Sequence, residues 1–204
     1  MKFGGVVLCG GRSSRMGRPK ALLPFGPETL LQRVVRIMSA AVDPIVVVAA
    51  GGQELPPLPS SVRIVRDEQE YAGPLAGMGL GLRALAAEAD AAFVSACDAP
   101  LLRVEFVRHM LDALGKNDAA VPHDGTFYHP LAGVYRTSLH LQIAALVASG
   151  QARPLFLIES VQTVRMGLDD LRVVDGALDS LRNLNTPEEY LAALRDSGIS
   201  AEPH

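Results

Sequence analysis

Two kinds of apolar run alternate along this chain. Short continuous runs rich in valine and alanine recur at Phe3–Cys9, Pro44–Ala50, Val62–Val65 and Ala91–Ala96. Runs of that length without a polar face are expected of strands buried on both sides. Between them lie longer stretches with apolar residues at helical spacing. Leu30, Leu31, Val34, Val35 and Met38 mark a helix over Thr29–Ala41. Gly73-Pro74 opens another that runs to about Ala87, since proline is tolerated in a first helical turn. Val104–Leu114, Ser138–Ala148 and Pro187–Arg195 predict three more. Ala119–Val121, Leu131–Tyr135, Val161–Met166 and Leu181–Asn183 are expected as further strands, and the proline-rich stretch Glu54–Ser61 as a loop.

Repeated strand–helix–strand units predict an α/β fold: a mostly parallel sheet with helices on both faces. We expect one domain over residues 1–197 and a short tail at 198–204. In such sheets ligands bind beyond the carboxyl ends of the strands. Three polar features fall at such ends: Gly10–Lys20 after the first strand, Asp67 after the third and Asp98 after the fourth.

Composition adds exclusions. The chain has 204 residues, 49% apolar and 20% charged, with a formal net charge of -3. That balance suits a soluble globular protein and argues against a nucleic-acid-binding surface. The run Ile45–Ala50 falls far short of the roughly 20 residues of a membrane helix, so no membrane partner is expected. The N-terminal apolar segment ends at Cys9, with Arg12 and Arg15 close behind, and does not read as a signal peptide. Cys9 and Cys97 have no metal-type spacing and are expected as buried reduced thiols of a cytoplasmic protein.

The segment Gly10–Lys20 carries the chemistry. It holds three glycines, three arginines and a lysine between a buried strand and the next helix. Glycines let backbone amides face an anion with no Cβ in the way, and arginine and lysine add donors for phosphate oxygens. It is neither a Walker A loop nor a dinucleotide fingerprint. Composition alone leaves open a solvated basic turn. A second cluster, Gly77-Met78-Gly79-Leu80-Gly81, lies inside a predicted helix and points to close packing.

The pattern Leu-x-Gly-Gly-Arg-Ser-x-Arg-Met-Gly-x-x-Lys-Ala-Leu-Leu over residues 8–23 resembles the signature loop of the molybdenum cofactor guanylyltransferases. That branch sits in a wider nucleotidyltransferase family with the molybdopterin cytidylyltransferases and the sugar-phosphate nucleotidyltransferases. The likeness continues through Asp67, Gly73-Pro74-Leu75-Ala76-Gly77, Cys97-Asp98-Ala99-Pro100, His129-Pro130-Leu131-Ala132-Gly133 and Asn183–Glu188. The Gly10-Gly11 pair and the closing Asn-x-Asn-Thr-Pro-Glu point to the guanylyl branch. The resemblance implies a Rossmann-like three-layer αβα domain that joins the GMP part of GTP to molybdopterin, with Mg²⁺, releasing pyrophosphate. By the same resemblance Leu8, Cys9, Gly10 and Gly11 approach the nucleotide, Lys20 binds its phosphates, Asp67 contacts base or ribose, and Asp98 holds Mg²⁺. Arg15, Lys20 and Asp98 are the implied catalytic residues. Molybdoenzymes or their chaperones are further candidate partners. Three departures stand out: Pro19 where many relatives carry aspartate, Cys9 for a common alanine, and Gly150–Pro154, which matches an acceptor-side stretch only loosely.

For several residues the sequence leaves two readings open. Asp98 suits either a metal ligand or the N-cap of the following helix. Asp67 reads as a binding carboxylate or a plain surface one. Asn183 and Asn185 suit substrate phosphates, while Asn185-Thr186-Pro187-Glu188 also reads as a capped helix start. His129 is a candidate for the acceptor pocket or for a structural turn. Two other activities compete: a transferase using CTP or a sugar-phosphate acceptor, and a non-catalytic nucleotide-binding regulator of cofactor insertion. Only the transferases release pyrophosphate.

Overall fold

The computed structural model describes residues 1–9, 18–68 and 73–200 of the chain. Gly10, Gly11 and Arg15, and the tail residues 201–204, lie outside the described residues. The strands are β1 (Phe3–Leu8), β2 (Pro24–Phe25), β3 (Glu28–Thr29), β4 (Ile45–Ala50), β5 (Arg63–Asp67), β6 (Ala91–Ala96), β7 (Ala119–His123), β8 (Ala132–Arg136) and β9 (Thr163–Gly167). The helices are α1 (Leu30–Ser39), α2 (Pro74–Leu85), α3 (Val104–Leu114), α4 (His140–Ala148), α5 (Pro154–Ser160), α6 (Leu168–Arg172) and α7 (Pro187–Asp196).

Among the described residues seven strands form one sheet in the order β5-β4-β1-β6-β8-β7-β9. β1 pairs in parallel with β4 and β6, β4 with β5, and β7 with β9, while β8 runs antiparallel to both β6 and β7. The sheet is therefore mostly parallel. Because β6 and β7 each oppose β8, they point the same way, and the carboxyl ends of β1, β4, β5, β6, β7 and β9 share one edge. The chain moves from β1 out to β4 and β5, then returns to β6 on the other side of β1. That reversal is the switch point where such sheets open a crevice.

Helices cover both faces. α1, α3 and α6 bury Leu31, Val34, Met38, Phe106, Met110 and Leu171 against one face. α2, α4 and α5 bury Leu75, Met78, Leu82, Ile143 and Leu157 against the other. α1 starts where Thr29 and Gln32 close a reciprocal capping box, Gln32 N donating to Thr29 Oγ1 at 3.3 Å and Thr29 N to Gln32 Oε1 at 2.9 Å. A smaller cluster of Leu23, Phe25, Leu30, Leu184, Ala193 and Leu194 joins the β2–β3 hairpin, the start of α1 and α7.

The glycines of α2 pack as expected. A Cβ at Gly79 would stand 2.7 Å from Ile143 Cγ2 of α4, and one at Gly81 only 2.3 Å from Val6 Cγ1 of β1. α2 is thus held closer to the sheet than any larger residue allows.

One expected strand is absent. Asp179–Leu181 forms a single 3₁₀ turn, and the residues after it pair with no strand. Their backbone groups bond elsewhere: Arg182 N donates to Asp179 O at 3.0 Å, and Leu184 N to Asp98 O at 2.9 Å. The β2–β3 hairpin and the short helices α5 and α6 were not expected. Each is too brief for periodicity to register.

The close approach of α2 gives a stability prediction. Gly81→Ala gains helix propensity of about 1 kcal/mol, but Val6 is fully buried in a central strand and cannot move aside. Overpacking of this kind typically costs about 1–3 kcal/mol, so the net change is a loss. Gly52→Ala, where a Cβ meets nothing within 4 Å, is the control. Urea denaturation should show a lower midpoint for Gly81→Ala alone.

Candidate active site

Asp98 lies two residues beyond β6, at the shared carboxyl edge, and is 8% exposed. Its main-chain oxygen accepts from Leu184 N at 2.9 Å. Its Oδ2 accepts from Lys20 Nζ at 2.6 Å, and the same ammonium donates to Asn185 Oδ1 at 2.9 Å. Residues far apart in sequence therefore converge on one carboxylate. Lys20 is fixed by its own 3₁₀ turn, with Leu22 N bonded to Pro19 O and Leu23 N to Lys20 O. Asn185 is fixed from the other side. Its backbone N–H donates to Glu189 Oε2 at 2.6 Å, while Thr186 caps α7 and accepts from Glu189 N. The helix-start reading thus holds for Thr186, and Asn185 turns its side chain to Lys20.

Asp98 does not cap α3. Arg103 occupies that position, with no side-chain cap. Among the described residues Asp98 Oδ1 is buried and has no hydrogen-bond partner. A buried polar atom left unmatched costs about 1–3 kcal/mol, which folded proteins ordinarily avoid.

Leu8 and Cys9 sit at the end of β1 beside it. Cys97 N donates to Leu8 O, Cys9 N to Val48 O, and Gln53 Nε2 to Cys9 O at 3.0 Å. These bonds fix the point from which the glycine-rich loop departs. Gln53, which also accepts from Ala50 N through Oε1, was not singled out from sequence. Both thiols are free and buried. A hydrogen bond to Cys97, together with burial, raises Cys9 well above the ordinary thiol range, so it is neutral. Asp67 ends β5 opposite Ala50 of β4, on the same edge but three strands from β6.

A second polar group occupies the other half of that edge. Asp124-Gly125 turns the chain after β7, with Gly125 at a φ of 99° that favours glycine. Asp124 Oδ1 accepts from Thr126 N at 2.8 Å and Phe127 N at 2.7 Å, and these bonds lower its pKa to about 2. Its Oδ2 lies 3.1 Å from His129 Nε2. His123, 7% exposed, accepts through Nδ1 from Gly125 N at 2.8 Å and from Arg165 of β9 at 2.6 Å. Both partners are N–H donors, so the ring is the neutral tautomer protonated at Nε2. Its ring packs edge-on against Tyr128 at 4.6 Å, and the Arg165 guanidinium stands 6.0 Å from the Tyr128 ring centre. Of this group only His129 was singled out from sequence. No spacing along the chain signals the others, since Arg165 meets His123 only because β9 lies beside β7.

Comparison with known proteins gives the family. The family described as "MobA-like NTP transferase domain" matches residues 5–164. The chain is 41% identical over 201 residues to a probable molybdenum cofactor guanylyltransferase of Mycobacterium ulcerans, covering 96% of this chain and 94% of the relative. It is 43% identical to a protein of the same name from Mycobacterium avium, over 94% of this chain and 95% of the relative. Its fold is similar to the crystal structure of molybdopterin-guanine dinucleotide biosynthesis protein A from Archaeoglobus fulgidus, with a TM-score of 0.78, 23% identity, and coverage of 97% of this chain and 99% of that one.

The tautomer of His123 is directly measurable. Burial and then the Arg165 charge lower its pKa, with His129 adding to the effect and Asp124 opposing it. The folded state therefore binds fewer protons than the unfolded state as pH falls through the ordinary imidazole range of about 6.5. Its contribution to stability is present above that range and is lost as pH falls toward the lowered value. Nitrogen NMR at pH 6.5 should show His123 neutral with its proton on Nε2. A titration midpoint at or above the ordinary value would contradict the acceptor geometry.

Proposed function

As this chain belongs to the family of MobA-like NTP transferase domains, we propose that it transfers the GMP part of GTP to molybdopterin. The product is a guanine dinucleotide form of the cofactor, and pyrophosphate is released. The observation that carries this reading is the Lys20–Asp98–Asn185 constellation at the switch point, with Asp98 Oδ1 left without a partner among the described residues. The names of the 41–43% identical relatives support the choice of substrates.

In the reaction an oxygen of the acceptor phosphate attacks the α-phosphorus of GTP. The bond from that phosphorus to the bridging oxygen breaks, and the electron pair leaves with pyrophosphate. The acceptor phosphate is already ionised, so no general base is required. Transfers of this kind depend on positioning and on neutralising charge. Lys20, held by Asp98 and Asn185, places a compact positive charge where the leaving pyrophosphate gains negative charge. Arg15, from the same glycine-rich loop, is assigned a second share of that task. Gly10 and Gly11 admit the nucleotide to the backbone, and Asp67 lies on the side where base and ribose extend.

Asp98 also fits Mg²⁺. That cation takes hard oxygen ligands, one or two carboxylates, and keeps waters and substrate phosphates. Asp98 would hold it through Oδ1, and when bound it supplies Lewis-acid neutralisation at the α-phosphate. Among the described residues no group of three or more His, Cys, Asp or Glu side chains gathers as a metal cage, in keeping with a cation shared with substrate. The reading carries a cytoplasmic setting, where reducing conditions keep Cys9 and Cys97 as thiols.

The deciding experiment incubates the protein with molybdopterin, Mg²⁺ and each nucleoside triphosphate in turn, followed by product analysis. GTP should give the dinucleotide with the highest kcat/KM. Equal or better turnover with CTP would remove the guanylyl assignment and leave a nucleotidyltransferase. Absence of pyrophosphate with every triphosphate would leave only a binding module. Asp98→Ala should abolish transfer in a variant still folded by circular dichroism.

Lys20 separates catalysis from binding. If its ammonium only attracts a polyanion, Lys20→Ala weakens GTP binding and leaves the saturated rate alone. If it meets charge that grows in the transition state, kcat falls as well. We expect a loss of about a hundredfold or more in single-turnover transfer at saturating Mg-GTP, the scale for removing one preorganised donor. Lys20→Arg should rescue only partly, because a planar fork does not reproduce a point charge.

A further inference from the structure

We infer that the cluster of His123, Tyr128 and Arg165 binds the pterin end of the acceptor, opposite the phosphate that reacts at Asp98. The inference rests on the guanylyl-transfer reading and deepens it. It starts from direction. β6, β7 and β9 run the same way, so Asp98, His123 and Gly167 lie along one edge of the sheet. The glycine-rich loop after β1 and Asp67 after β5 leave the β1–β4–β5 half of that edge to the nucleotide. The acceptor therefore approaches from the β8–β7–β9 half.

Spacing then decides which end of the acceptor lies where. Neighbouring strands stand about 4.8 Å apart, so the ends of β7 and β9 are about 10 and about 14 Å from that of β6. A phosphate reacting beside Asp98 stands about two strand spacings from the His123–Arg165 pair, and a rigid fused-ring group joined to it through a short linker spans that distance. The cluster thus meets the ring system.

The side chains match such a ring. Among the described residues Arg165 forms no ion pair with a carboxylate, and it donates to the neutral Nδ1 of His123. That bond holds the guanidinium in place without neutralising it. A guanidinium presents N–H donors in a plane, and a pterin presents a carbonyl oxygen in the plane of its rings as an acceptor. Tyr128 lies next to it, and Phe127 stands 70% exposed at the tip of the same turn. Flat aromatic surface beside planar donors is what a heteroaromatic ring requires. His129 and Asp124 close the turn that carries both rings.

The test has two independent readouts on the full-length protein. The first is steady-state transfer with GTP saturating and molybdopterin varied. Arg165→Met should raise the acceptor KM about tenfold or more, the scale of hydrogen bonds to a charged group, while the KM for GTP and the saturated kcat change less than about twofold. Arg165→Lys should not restore the KM, and Tyr128→Leu should raise it as well. The second readout needs no turnover: titration of the protein with 6-hydroxymethylpterin, which carries no phosphate, followed by its fluorescence. Wild-type protein should bind it, and Arg165→Met should not. Arg165 and Tyr128 are not core residues, and unchanged melting temperatures will show that both variants fold. An unchanged acceptor KM in Arg165→Met overturns the inference, as does pterin binding that ignores Arg165. Inorganic phosphate displaced by Arg165→Met while the pterin is unaffected would make this an anion site and overturns it too. If wild-type protein makes no dinucleotide, the transfer reading fails, and the pterin titration alone still decides what the cluster binds.

Discussion

A carboxylate placed at the end of a fully buried strand has to be met by positive charge, and much of this molecule is arranged around that requirement. Asp98 is carried to the sheet edge by β6, every residue of which is buried. Its cation comes from Lys20, before the first helix, and its main-chain oxygen is held by Leu184, near the last one. Removing one member of a buried pair costs about 3–5 kcal/mol, and less where water reaches the pair. With side chains 18% and 12% exposed, Lys20 and Asp98 sit between those cases. The pair therefore holds chain termini to sheet centre without being dry enough to prevent a ligand from competing for it.

The small third hydrophobic cluster explains why distant segments reach that carboxylate. Leu184 is buried there among Leu23, Phe25, Leu30, Ala193 and Leu194. Packing it fixes the hairpin after Lys20 and the helix after Asn185 in one step. A contact made for burial thus sets the positions of two polar groups that no local propensity would bring together. The antiparallel strand β8 has a comparable effect on the other half of the edge. By inserting between β6 and β7 it restores the direction of β7 and β9, so His123 emerges on the same side as Asp98.

Legibility in the sequence followed the kind of force involved. β1, β4, β6, α1 and α3 were plain because each is long enough for its burial pattern to repeat, and Ala91–Ala96 and Val104–Leu114 were found to the residue. Gly79 and Gly81 were correctly read as packing positions, since they fell within a helical period. The strand expected at Leu181–Asn183 failed because Leu181 packs against the main core from a 3₁₀ turn, while Arg182 N bonds to Asp179 O and Leu184 N, just past the stretch, to Asp98 O. Among site residues, Lys20 and Asp98 stood out by position at strand ends, and the structure joins them. Asn185 was visible but ambiguous, because a capping box and a lysine partner use neighbouring residues of the same turn. Arg165 and His123 were invisible. Their pairing depends on β9 lying beside β7, a non-local fact that no spacing along the chain encodes.

Two buried aspartates, Asp175 and Asp98, are held by the fold in different ways. Asp175 is wholly buried, takes a hydrogen bond from Ser180 N through Oδ2, and has Arg103 Nε 3.3 Å from Oδ1. Its Oδ1 has the Arg103 charge beside it but no hydrogen bond among the described residues, so what the fold supplies there is an ion pair that ties α3 to the turn at Asp179–Leu181. Asp98 has one oxygen engaged and one with no partner among the described residues. Among the described residues nothing offsets the desolvation of that second oxygen. Such costs persist where something other than stability is being served. Arg165 follows the same logic on the surface: it donates to an imidazole kept neutral when a carboxylate would have bound it more strongly. Each group holds bonding capacity in reserve, and both lie along the same edge of the sheet.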